Sequence, residues 1–194
     1  TGVHNQYGSS FKFNVSGYGP SGPLYLFHNT ADAGLPNQNG LTIFEPGSWA
    51  TLYARNNIWT GTNYALENYN TGQPVDLDYD DLYTTQSGEL AWWQGLADTH
   101  LHTLAELQAA TGQEQHGRNV VPGFADAANG NYSLSPGSSL LDAGLVISGV
   151  NNVGPHAYRG SAPDIGAFEF SPSGGTPTVT PTPSSTPAWS LYLP

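Results

Sequence analysis

The sequence predicts an all-β fold: a right-handed parallel β-helix, that is, a single-stranded solenoid of a few coils, with one short α-helix and an extended C-terminal tail. Three observations predict it. The first is a repeat. Val75 to Tyr83 (VDLDYDDLY) aligns with Leu52 to Asn57 (LYARNN) 23 residues earlier, with Leu24 to Asn29 (LYLFHN) a further 28 back, and with Val3-His4-Asn5 another 24 back. Periods of about 20 to 50 residues mark units that bury their apolar face only by stacking on neighbours. The second is what each unit contains. The pairs Leu24/Leu26, Leu52/Ala54 and Val75/Leu77 alternate as strand residues do, giving one inward and one outward face. A column of Asn5, Asn29, Asn57 and Asp80 follows them. Stacked amides hydrogen-bond from rung to rung, and Asn and Asp tolerate the left-handed backbone of a sharp corner. The third is an absence: no helical periodicity lies between Leu24 and Tyr83, so helices do not connect these strands.

In chain order, the first coil is entered part-way, at Asn5, with no strand before it. Phe11, Phe13 and Val15 then alternate as a strand, and Gly17 to Pro23 is a turn by composition. Leu24 to Thr30 opens the next coil. Ala31 to Gly40 loops out before the strand Leu41 to Phe44. Trp49 to Trp59 and Asn63 to Tyr69 follow, then the Val75 coil. Thr84 to Gly95 reads as an excursion carrying Trp92 and Trp93. Thr103-Leu-Ala-Glu106 is a capping-box pattern that opens a short helix over Leu104 to Ala110, which Gly112 ends.

Composition sets the bounds. Of 194 residues, 38% are hydrophobic and 12% aromatic, enough to fill a core; 24 Gly and 15 Pro describe a turn-rich β protein. The organisation read is a domain over 1–170, a Ser/Thr/Pro linker over 171–187 and an apolar strand-like segment over 188–194. Sixteen of the seventeen linker residues are Ser, Thr, Pro or Gly, a composition that stays extended. Thr176, Thr178, Thr180, Thr182 and Thr186 stand in it as O-glycosylation candidates. A net charge of −11 from only four Lys and Arg argues against nucleic acid and anionic membranes, and disfavours polyanionic sugars. The absence of Cys removes disulfides and thiolate chemistry. No run reaches membrane-spanning length. Thr1-Gly-Val-His is no signal peptide, so a mature chain, or a piece of a longer one, is expected.

Two later segments carry a resemblance. Pro122-Gly123-Phe124, Asp126, Tyr132, Leu134, Pro136-Gly137-Ser138, Asp142-Ala143-Gly144 and Pro163-Asp-Ile-Gly-Ala-Phe-Glu169 are similar to the closing segment of secreted bacterial parallel β-helix proteins, the pectate-lyase-like superfamily. The resemblance spans roughly Leu24 to Phe170. It implies the fold and an extracellular location. It does not imply an activity, because that group holds lyases, hydrolases, epimerases and adhesins.

The candidate chemistry is sparse. Asp76, Asp78 and Asp80 are the densest carboxylates and the candidate calcium ligands, although Asp81 and Ser87 stand where a calcium loop needs Gly and Glu. No other cofactor is expected. Arg55, beside the Asp78 rung, is the candidate base for a lyase. Glu67 with Asp76 or Asp78 is the candidate carboxyl pair for a glycosidase, which needs two such groups about 5 to 10 Å apart. Trp92 and Trp93 form a candidate sugar platform.

The first functional reading is therefore non-enzymatic: an extracellular structural or interaction protein of a bacterial cell surface, self-assembling head to tail into filaments. Its partner is another copy or upstream β-helix coils, and Trp189, Leu191 and Leu193 supply an added strand. The alternatives are a polysaccharide-degrading lyase or glycosidase, or the C-terminal piece of one, and a carbohydrate-binding module.

Overall fold

The computed structural model describes residues 8–14, 22–44, 50–69, 72, 74–86, 88–96 and 99–171. Asn5 of the expected column, the candidate glycosylation sites Thr176, Thr178, Thr180, Thr182 and Thr186, and the assembly residues Trp189, Leu191 and Leu193 lie outside the described residues. So do residues 172–194 as a whole.

Strands come in sets of three. After β1 (Gly8–Asn14) come β2 (Leu24–Phe27), β3 (Thr30–Asp32) and β4 (Gln38–Phe44). The second set is β5 (Leu52–Arg55), β6 (Ile58–Gly61) and β7 (Leu66–Asn68). The third is β8 (Val75–Asp78), β9 (Asp81–Thr84) and β10 (Ala91–Trp93). Each strand pairs in parallel with its counterpart in the next set, in the orders β2-β5-β8, β3-β6-β9 and β1-β4-β7-β10. The register places Leu24 on Leu52 on Val75, and Leu26 on Ala54 on Leu77. A 3₁₀ turn at Gln94–Leu96 then reverses the chain, and β11 (Thr99–Leu101) lies antiparallel on β10. Helix α1 (Leu104–Thr111) follows. Its first turn is held by Thr103, whose Oγ1 accepts from the Glu106 N–H, and Gly112 ends it in the left-handed conformation. The Glu106 carboxylate accepts from the main-chain N–H of His102, one residue ahead of the cap.

The inward residues make one core of Leu41, Ile43, Leu52, Ala54, Trp59, Leu66, Leu77, Leu82, Leu90, Trp93 and their neighbours, closed by Leu101 and Leu107. The antiparallel hairpin β12 (Phe124–Asp126) and β13 (Asn131–Leu134) and the irregular chain up to Ser171 pack outside it. They form a second, smaller core around Ile58, Leu134, Leu140 and Ile165.

The column of polar residues is hydrogen-bonded in series. Asn57 Oδ1 accepts from both the main-chain and side-chain N–H of Asn29 at 2.8 Å. Asp80 Oδ1 accepts the same pair from Asn57 at 2.8 and 2.9 Å, and Asp80 Oδ2 accepts from Trp59 Nε1. The left-handed residue falls one position before the column: His28 (φ 54°), Asn56 (φ 59°) and Tyr79 (φ 62°). The corner and the ladder are thus assigned to neighbouring residues, so the column residue leaves its side chain free to join rungs. The last rung is not Asn or Asp. Glu114, from the segment after α1, accepts from the Asp80 N–H through Oε2, while its own N–H donates to Leu77 O.

The fold class expected from the sequence is corrected here. The chain does not form one continuous β-helical solenoid. Its strands divide into four separate sheets, two pairings are antiparallel, and a helix and a long irregular segment complete a mixed architecture. The physical reason lies after Thr84. Alternation and Asn columns dictate which strands pair and in what register, but they do not oblige the stacking to continue. The reversal at Gln94–Leu96 ends the parallel pairing of β10, and the second core gives the remaining chain its own place to bury Leu134, Leu140 and Ile165.

Candidate functional site

The outer face of the β1-β4-β7-β10-β11 sheet carries a row of five side chains, one from each strand. Lys12 pairs with Thr42, Thr42 with Glu67, Glu67 with Trp92, and Trp92 with His100. Strand alternation puts them there. Phe11, Leu41, Ile43, Leu66, Ala91 and Leu101 are their immediate neighbours in sequence and point into the core. Adjacent strands lie about 4.8 Å apart, so the row crosses the sheet in even steps.

Four of the five, Lys12, Glu67, Trp92 and His100, line a groove of about 480 Å³ with Ser9, Phe44, Tyr64 and Tyr69, and Thr42 lies buried beneath it. Phe44 and Tyr69 stack at 5.0 Å between ring centroids, and Trp92 meets Tyr69 edge-on at 5.2 Å. Trp92 also stacks with His100 at 6.0 Å. Lys12 Nζ sits 3.8 Å from the Phe44 centroid, a cation–π contact.

The polar groups of the groove are held in place. Glu67 Oε2 accepts from Asn39 Nδ2 at 2.7 Å and from Thr42 Oγ1 at 2.8 Å. Thr42 Oγ1 is in turn hydrogen-bonded to Ser9 Oγ at 2.6 Å. Burial raises the pKa of Glu67 above the usual carboxylate value, against the hydrogen bonds from Thr42 and Asn39 and the charge of Lys12. Across the groove, His100 Nδ1 lies 2.9 Å from Glu89 Oε2 and 3.1 Å from the Tyr64 hydroxyl. Burial pushes Glu89 up, but the hydrogen bonds from His100 and Tyr64 and the nearby imidazoles outweigh it and hold this carboxyl below its ordinary value.

The structure distributes the residues singled out in the sequence differently from expectation. Glu67 and Trp92 stand next to each other in the groove. Trp93 does not: it is 9% exposed and belongs to the core, so the two adjacent tryptophans form no common platform. Glu67 is on β7 whereas Asp76 and Asp78 are on β8, in a different sheet, and their hydrogen-bond partners are separate: Asn39 and Thr42 for Glu67, Arg55 for Asp76 and His116 for Asp78. Arg55 is an internal tie. Its guanidinium donates to Asp76 Oδ1 at 2.6 Å and to the main-chain oxygens of Ala54 and Asp76 at 2.7 Å, which leaves it badly placed to act as a base.

The three candidate calcium ligands have three separate partners. Asp76 takes Arg55, Asp78 takes the N–H and Nδ1 of His116, and Asp80 is the buried rung of the ladder. Among the described residues no three His, Asp or Glu side chains are grouped as a metal would require.

Ser9, Lys12, Tyr64, Tyr69 and His100 are among the groove residues that the sequence did not point to as a binding site. The first four come from strands or turns that the repeat does not mark, and His100 arrives only through the reversal into β11. The alternation of Lys12 between Phe11 and Phe13 was the one available signal.

Comparison of the chain with protein-family models, with curated proteins and with solved structures gave no match. The likeness of the closing motif to pectate-lyase-like proteins is therefore carried by the motif residues alone. No helix among the described residues is long and apolar enough to cross a membrane.

Proposed function

We propose that the protein binds carbohydrate at an extracellular surface, through the groove on the outer face of the β1-β4-β7-β10-β11 sheet. One observation carries this reading: Lys12, Thr42, Glu67, Trp92 and His100 form a single row beside the stacked Phe44 and Tyr69. A sugar ring presents apolar C–H faces and a rim of hydroxyls. It is matched by aromatic faces with a few fixed polar groups between them. Glu67 is such a group, oriented by Asn39 and Thr42 before any ligand arrives, so little ordering is left to oppose binding. The net charge of −11 favours a neutral glycan over a polyanionic one.

Calorimetry against a panel of neutral oligosaccharides tests this. Trp92→Ala is expected to weaken binding at least tenfold, about 1.4 kcal/mol, as truncation of a central aromatic contact does. Binding unaltered in Trp92→Ala, or no binding across the panel, would sink the reading.

A second reading, head-to-tail association into filaments on a cell surface, is favoured by a separate observation. β1, β2 and β3 each occupy an end of their sheet's strand order, where main-chain groups can accept a further strand. Removal of residues 188–194 is then expected to abolish filaments seen by negative-stain microscopy. Filaments that persist without them would remove the tail from the mechanism.

A further inference from the structure

The imidazole of His28, in the turn between β2 and β3, joins the neighbouring turn between β5 and β6 to the closing segment. Its Nδ1 lies 3.1 Å from Gly166 O, and a carbonyl only accepts, so Nδ1 carries the proton. Its Nε2 is approached by Asn56 Nδ2 at 3.1 Å and by Asn151 Nδ2 at 2.8 Å. Neither amide can be turned over. Asn56 Oδ1 accepts from the Leu145 N–H at 2.7 Å, and Asn151 Oδ1 accepts from the Ile147 N–H at 2.8 Å. The second hydrogen of each amide goes to Leu145 O, at 2.8 and 2.9 Å. Every donor and acceptor in the cluster is used, and only neutral imidazole satisfies it. Gly166 N–H closes the ring by donating to Asn56 O at 2.7 Å.

We propose that His28 is an acid-sensitive clasp: proton uptake at Nε2 turns the acceptor shared by Asn56 and Asn151 into a donor, and the closing segment from Leu145 to Gly166 loosens from the turn between β5 and β6. Three N–H groups would then converge where one acceptor stood, the loss of a partly buried hydrogen-bond pair with the added cost of an incompletely solvated cation.

Burial of the ring supports this by lowering its pKa below the ordinary 6.5, against the Gly166 carbonyl and the charge of Asp164. From the closing segment, the charge of Asp164 acts on the ring. On the strand side, the neighbouring Arg55 is turned to Asp76. The sign separates His28 from the carboxyls around it. A histidine with a depressed folded pKa stabilises fully above about 6.5, and that stability is lost as pH falls through the folded value. Asp164 and Glu169 are both raised by burial, so acidification acts through them in the opposite direction. Loosening in acid is therefore opposite in sign to what Asp164 and Glu169 produce, and the His28 variant separates it from the Asp142 carboxylate, which accepts from the Ser161 and Ala162 N–H groups.

Hydrogen exchange on the whole chain at pH 7 and pH 4.5 tests it, with rates corrected for intrinsic exchange. The amides of Leu145 and Gly166, which both donate to Asn56, are expected to lose at least tenfold protection in acid. The amides of Leu41 and Tyr69, which donate to Ala65 O and Ile43 O, should hold theirs. His28→Gln, whose amide donates and accepts without titrating, should abolish the difference. Equal loss at all four amides, or acid loosening that survives His28→Gln, overturns the proposal. Nitrogen-15 shifts of the His28 ring in the parent protein decide it without a variant: a midpoint at or above about 6.5 overturns it, and a lower one with Nδ1 protonated supports it.

Discussion

The main-chain N–H of Asp80 donates to Glu114 Oε2 at 3.2 Å, and both residues are only 1% exposed. Two carboxyl groups therefore share the buried end of the ladder. Burial raises Asp80 to about 7 despite the hydrogen bonds from Asn57 and Trp59, and it raises Glu114 well above its usual value, helped by the charge of Asp80. Asp81, with Oδ2 buried and unpartnered, is also raised to about 7 by burial. Acids whose folded pKa is raised stabilise fully below the unfolded value near 4, and that contribution is lost as pH rises through the folded value. The melting temperature is expected to fall between pH 5 and pH 8. Glu114→Gln, which removes one of the two titrating carboxyls, should reduce that fall. Equal slopes in parent and variant would show that the pair does not titrate as described.

Asn57 is the middle of the ladder. Its side chain donates to Asp80 Oδ1 and Leu26 O and accepts from both N–H groups of Asn29. Asn57→Ala leaves these partners buried and unmatched and should cost about 3 kcal/mol or more in denaturant unfolding. Val121→Ser, at a position 64% exposed, should change stability by no more than about 0.5 kcal/mol.

Adjacent tryptophans are expected to behave oppositely. Trp93→Ala removes a core side chain and should destabilise by about 3 to 5 kcal/mol. Trp92→Ala should act mainly on glycan affinity and leave most of the stability in place. Thermal melts beside calorimetric titrations of both variants separate the two effects, and equal destabilisation would remove the distinction.

Gly166 lies at φ 113°, where a Cβ would stand 2.7 Å from Ile58 Cδ1 and 3.0 Å from Thr30 Oγ1. Gly166→Ala combines backbone strain with a clash in the second core. It should destabilise by about 2 kcal/mol or more, measured by denaturant unfolding. A neutral effect would mean that the closing segment is not held against Ile58.

Alternation and the Asn column were enough to place Leu24, Leu52 and Val75 over one another, because strand register follows the pattern of buried residues and a slip of one would turn every side chain over. The helix and its ends were also legible, since Thr103, Glu106 and Gly112 act on their own neighbours. These features are local, or repeat at a short period, so the sequence by itself determined them. The tertiary structure alone decided the rest. The reversal into β11 brings His100 beside Trp92, the docking of Glu114 ends the ladder, and His28 meets Asn151 across 123 residues. Each of these depends on where a distant segment finds a buried face and an unmet hydrogen bond, and no spacing in the chain records that.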